Sequence, residues 1–248
     1  MSTHCNQHKL VFQPEGRRRL DGAFDAGRVS SDGGVLLLRE AAAAIGLFPL
    51  LADCFLDYRE PRRVEHSVEE LLAQRILALA CGYEDLNDHD TLRNDPVFAA
   101  AVGKADPLGA ERPRGRDRGS PLASHSTLNR IELAPDVLDS KRRDLKILHD
   151  GEAIEALFVD LFLDSHREPP ASITLDVDAT DVPLHGDQEG RFFHGYYDAY
   201  CYLPIYVFCG DQLLAAQLET ADHDESKGAL PVLKRIVTRL RAKWPRVQ

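Results

Sequence analysis

The chain has 248 residues, 44% of them hydrophobic and 28% charged; it is neither a disordered polymer nor a fibre, and has length for one large domain or two ordinary ones. Thirty Lys and Arg against forty Asp and Glu give a net charge of −10, which excludes a uniformly basic nucleic-acid coat. No apolar run approaches the roughly 20 residues of a membrane span, the N-terminus carries no secretory signal, and five scattered cysteines fit a reducing cytoplasm.

Residues 1–30 read as an extended arm, in which His4, Cys5 and His8 have suggestive spacing but too few ligands for a metal site. Residues 30–46 open a helix, with Asp32 as its N-cap and Gly46 as its stop. Residues 66–82 form a stronger one. Ser67 and Glu70 have capping-box spacing, Val68, Leu71, Leu72, Ile76, Leu79 and Ala80 make an apolar stripe, and Gly82 ends it. Shorter helical pieces are expected around 86–102 and 125–133, with a Pro-, Gly- and Arg-rich surface loop over 104–124 between them. Residues 151–167 read as an amphipathic helix. The Pro169-Pro170 step then breaks the pattern and sets a domain boundary near 170.

Beyond 172 the period changes to two. Ile173, Leu175 and Val177 fall on one face of a strand over 172–180, and Asp176, Asp178 and Thr180 on the other. A second strand is expected over 200–210, turned at Gly210-Asp211 into a partner over 212–220. Residues 222–245 have a helical pattern. Leu230, Leu233, Val237, Leu240 and Trp244 line its apolar face, and Pro231 belongs in the first turn, where its missing N–H costs little. Arg246, Val247 and Gln248 read as the first residues of a further strand.

Charge is segregated. Residues 151–200 hold two basic against eleven acidic side chains, whereas basic residues gather at 17–19, at 112–118 and along 234–246. Such a bipolar chain can bind a polyanion on one patch and a metal ion at another.

The densest chemistry is Asp176-Val177-Asp178-Ala179-Thr180-Asp181. Two carboxylates on one strand face, with a third at its end, are hard oxygen ligands suited to Mg²⁺ or Mn²⁺, as two-metal phosphoryl transfer requires. The competing explanation is a solvated acidic face. His185 and His194 lie in a Gly- and aromatic-rich excursion; they either position phosphates or pack its tip. Arg112, Arg114, Arg116 and Arg118 alternate in their loop, as a phosphate grip or as a solvated linker. No GxGxxG, P-loop or GxSxG elbow is present, and Cys201 and Cys209 lack the spacing of a zinc site.

Residues 30–40 (SSDGGVLLLRE), 82–98 (GYEDLNDHDTLRNDPVF), 122–132 (LASHSTLNRIE), 175–210 and 240–245 (LRAKWP) resemble a DDE-type bacterial insertion-sequence transposase, of the group numbered 1380. The resemblance covers nearly the whole chain, with 175–210 its most specific part. It implies an α+β chain: an all-helical region over 1–170 that binds the element's terminal inverted repeats, and an incomplete RNase H-like catalytic domain of three strands and a helix over 171–248. It also implies cut-and-join transposition on DNA by paired subunits, with no membrane. The first catalytic, metal-bridging Asp maps onto Asp178, and Asp176 and Asp181 become supporting residues. Val182 stands where relatives often carry another acid. The family's second Asp and its Glu would fall beyond Gln248. The alternative expectation is therefore a truncated, catalytically inactive product that binds DNA and modulates a full-length copy.

Overall fold

The computed structural model describes residues 10–15, 18–22, 30, 32–138, 141, 144–222 and 225–248. In chain order these form β1 (Leu10–Glu15), β2 (Arg18–Gly22), α1 (Val35–Ala44), α2 (Leu47–Ala52), β3 (Phe55–Asp57), α3 (Val68–Ala80), α4 (His89–Leu92), α5 (Pro96–Val102), α6 (His125–Glu132) and β4 (Ile147–His149). Then follow α7 (Gly151–Ser165), β5 (Asp176–Ala179), β6 (Val182–Pro183), β7 (Phe192–His194), β8 (Ala199–Tyr202), β9 (Ile205–Cys209), β10 (Gln212–Gln217) and α8 (Glu225–Lys243). Helices and small antiparallel sheets are mixed, as expected of an α+β chain. The region before 170 is not all-helical, however. β1 and β2 form an antiparallel hairpin where an arm was expected, and β3 pairs with β4. His4, Cys5 and His8 lie outside the described residues.

Two compact units divide the chain: Met1–Ala44 with Glu60–Leu133, and Ile45–Arg59 with Ala134–Gln248. The break expected near 170 lies inside the second unit, because α7 packs on β10 and α8 and also meets α2 of the same unit.

The first unit holds the β1-β2 hairpin and a helical cluster. Its α3 starts with the expected capping box: Ser67 Oγ accepts from the Glu70 N–H at 3.1 Å, and the Glu70 carboxylate accepts from the Ser67 N–H at 3.0 Å. The buried stripe is shifted from the expected one. Leu71, Leu72, Gln74, Leu77 and Ala78 face the core, and Leu79 is 46% exposed. The shift arises because a polar residue, Gln74, sits on the core face, where a purely apolar pattern does not find it.

In the second unit a three-stranded sheet has the order β10-β9-β5. β5 runs antiparallel to β9, and a two-residue turn at Gly210 (φ 58°) leads β9 into β10. The expected single strand over 200–210 is two strands, β8 and β9, in different sheets. Pro204 separates them and cannot donate to a ladder. A bulge between Leu213 and Ala215 lets the consecutive residues Leu214 and Ala215 both be buried. One side of the sheet is covered by α7 and α8. Val159, Phe162 and Leu163 meet Ile205, Val207 and Leu214 from one helix, and Val232, Ile236, Leu240 and Trp244 do so from the other.

Pro231 lies in the second turn of α8, not the first, because the helix starts at Glu225. The buried face is 232, 236, 240 and 244, and Leu230 is 70% exposed. Gln248 makes two backbone bonds to the stretch before β5. Its N–H donates to the Ala171 carbonyl at 3.1 Å, and its carbonyl accepts from the Ile173 N–H at 2.9 Å. That pattern is a parallel one.

Candidate metal and DNA site

β5 is built by alternation. Val177 pairs with Val207 and Ala179 with Ile205, so these four share one side, on which Val177 is still 38% exposed; Asp176 pairs with Phe208 and Asp178 with Tyr206 on the opposite side. Both Asp176 and Asp178 are exposed. The two carboxylates stand roughly 6.6 Å apart along the strand by its repeat, beside the side chains of Tyr206 and Phe208. The rings of that pair are 6.5 Å apart. Tyr206 and Phe208 were not singled out in the sequence, although their alternation with Ile205 and Val207 carries the signal. β5 has a neighbour on only one side within its sheet.

Asp181 does not extend this face. It is half-buried on the link between β5 and β6, and its charge is felt at Cys201, whose thiol is pushed up by burial first and by Asp181 second. His185 is exposed; His194 packs its ring 5.0 Å from Tyr197, with Nδ1 buried and unbonded. The oxygen-only donors Asp176 and Asp178 fit a hard divalent cation in chemistry. Among the described residues, though, no group of three His, Cys, Asp or Glu side chains comes together to hold a metal ion.

The four arginines of the 104–124 loop separate into two kinds. Arg112 is a structural residue. Its guanidinium donates to Glu65 at 2.6 Å and to the carbonyls of Ser120 and Pro121 at 3.0 and 3.2 Å. Arg114 and Arg116 are open, with side chains 62% and 76% exposed and only long contacts, at 3.6 Å to Glu65 and 3.8 Å to Asp117. Arg118 is exposed and its Nε donates to the Arg112 carbonyl at 3.4 Å. Three basic residues of α8 are engaged as well, Arg235 with Glu155, Arg239 with Asp160 and Lys243 with Asp164, all between α7 and α8, whereas Lys234 and Arg241 are exposed.

The family model described as Transposase DDE domain group 1 matches residues 12–248, so the chain belongs to that family and its partner class is DNA. No curated protein and no solved structure matches it. Among the described residues no helix is long and apolar enough to cross a membrane.

Proposed function

We propose that this chain is a cytoplasmic insertion-sequence transposase of the group numbered 1380, and that β5 carries the first metal-binding carboxylate of an RNase H-like catalytic domain. The observation that carries the reading is the exposed pair Asp176 and Asp178 on one face of β5, in a chain of this family. Three antiparallel strands in the order β10-β9-β5, followed by α8, fit the start of such a domain.

Asp178 would hold a Mg²⁺ or Mn²⁺ ion, with Asp176 beside it and Asp181 in support. The ion supplies Lewis-acid polarisation of a scissile phosphate and activation of water or a 3′-hydroxyl. The protein contributes rigidity: four register pairs with β9 fix the carboxylates before DNA arrives, so little reorganisation remains. Arg114, Arg116 and Arg118, exposed in their loop, would meet phosphates of the terminal inverted repeats, which positions DNA without reading its sequence. Paired subunits on two DNA ends, and on target DNA, complete the reading.

Metal affinity depends on the number of charged ligands, so two carboxylates should hold Mn²⁺ with a Kd on the order of 10⁻³ M or weaker. A Mn²⁺ titration followed by paramagnetic broadening should show signals near 176–181 broadening first. Asp178→Ala should remove the effect and Asp211→Ala should leave it intact. Equal Mn²⁺ binding by Asp178→Ala and the parent chain would sink the assignment. The short ligand set also favours a second reading, in which the chain is a DNA-binding product that modulates a full-length transposase. On that reading it shifts an inverted-repeat duplex in a gel over unrelated duplexes, and does not cut it in Mg²⁺. Asp178-dependent cutting by residues 1–248 would remove it.

A further inference from the structure

Between β5 and β9 the chain makes a second small sheet, in the order β6-β8-β7. Its two sides differ. On one, Cys201 is fully buried and closes over Leu203 and Ala221 as a small core, although its register partner Phe192 is 41% exposed. The other side is fixed by register: Phe193 opposite Tyr200, Val182 opposite Tyr202, and Leu184 donating its N–H to the Tyr200 carbonyl at 2.8 Å. Among the described residues no helix or strand covers this outer face, where Val182 is 40%, Tyr200 48% and Phe193 52% exposed, and Tyr202 is half-buried with its hydroxyl donating to the Glu189 carbonyl. The Phe193 and Tyr200 rings meet edge-to-face at 5.6 Å. The Arg191 guanidinium lies 4.9 Å from the centre of the Tyr200 ring and is tied to the Asp187 carboxylate and the Gly186 carbonyl.

Aromatic rings held out in water by a rigid antiparallel sheet are costly unless they meet a partner. We infer that the outer face of the β6-β8-β7 sheet is a stacking platform for unpaired DNA bases, with Phe193 and Tyr200 as its rings. The inference rests on DNA being the partner, which the family gives; it does not rest on the metal assignment. Three features choose this occupant. First, only Thr180 and Asp181 separate β5 from β6, so the platform adjoins the acidic strand. Second, the segment's charges are Asp181, Asp187, Glu189 and Asp198 against Arg191, so it does not grip phosphates; bases are neutral and offer a π-face regardless of sequence. Third, a second copy seated here would bring the same acidic rim into a closed interface. A single strand instead keeps its phosphates in solvent, where salt screens them.

The test uses the full chain, a fluorescently labelled oligothymidylate single strand, and the same strand made abasic. Tyr200→Leu and Phe193→Leu should each weaken binding of the base-bearing strand by about 5- to 150-fold. Tyr200→Phe should bind as the parent does, because stacking needs the ring and not the hydroxyl. The abasic strand should not distinguish parent from Tyr200→Leu. The loss should also hold constant between about 50 and 200 mM salt, unlike a phosphate contact. Unchanged single-strand affinity in both leucine variants, or no single-strand binding at all, overturns the platform. So does a Tyr200→Leu effect confined to the monomer–dimer balance, which would make the face a contact between copies. Failure of the Mn²⁺ experiment at Asp178 leaves this result standing, and the reverse also holds.

Discussion

Gln74 and His89 form a buried polar junction inside the first unit. The Gln74 carboxamide pairs with the Ala123 backbone in both directions, accepting its N–H and donating to its carbonyl at 2.9 Å each. The second amide hydrogen goes to His89 Nδ1 at 3.0 Å. An amide nitrogen only donates, so Nδ1 accepts and the ring proton sits on Nε2, which is buried without a partner. Burial first, and the nearby Arg75 second, push the His89 pKa down to about 4, against the opposite pull of Asp88 and Asp90. A base whose folded pKa lies below its unfolded value of 6.5 contributes fully above pH 6.5. That contribution falls away as the pH drops toward 4, because the unfolded chain takes up the proton first. Between pH 7 and pH 5 the expected loss is about 2 kcal/mol. Urea unfolding of the parent and of His89→Gln at both pH values checks it. The variant starts less stable but should lack this part of the pH dependence, and parallel losses in the two proteins would rule His89 out as the source.

At the scale of elements, the 104–124 loop shows how a Pro-, Gly- and Arg-rich stretch is ordered without being a helix or strand. Gly109 takes a positive φ of 63°, and a Cβ there would meet the Pro121 and Ser120 nitrogens at 2.8 and 3.0 Å. The obstacle is backbone, which cannot swing aside. Arg112 binds the same strand of the loop from the other end through the Ser120 and Pro121 carbonyls. Gly109→Ala should therefore cost more than about 2 kcal/mol, combining left-handed strain with overlap, whereas Gly115→Ala has open space and should cost little. Thermal unfolding of the two variants reads the difference directly. Sequence alone made the Ser67–Glu70 cap and the alternation of β5 legible, because both are local. It found this loop but not the structural role of Arg112, nor the buried faces of α3 and α8, because those depend on distant partners: Glu65 for Arg112, Ala123 for Gln74. The aromatic outer face was equally hidden, since which side of a short strand is covered depends on Cys201 and Ala221 closing the other.

Across the whole molecule the question is where positive charge remains free to meet DNA in a chain of net charge −10. The basic run of α8 looked available in the sequence, yet Arg235, Arg239 and Lys243 face Glu155, Asp160 and Asp164 at 2.9, 2.5 and 2.7 Å. These pairs are partly exposed, so each contributes only about 0–1 kcal/mol to stability, but each also withholds a cation from phosphate. Arg114 and Arg116 have no comparable partner; their contacts are 3.6 and 3.8 Å long and their side chains lie mostly in solvent. If the loop grips the duplex, each lost phosphate contact should reduce the slope of log K against log salt by about 0.9. Arg114→Gln and Arg116→Gln should each lower the slope by about that amount, weakening specific and unrelated duplexes alike. Arg235→Gln and Arg239→Gln should leave it unchanged, because those guanidinium groups already spend their charge on α7. Duplex affinities measured across a salt series decide the matter. A slope that falls with the α8 variants and not with the loop variants would move the DNA path from the first unit's loop to the second unit's helices.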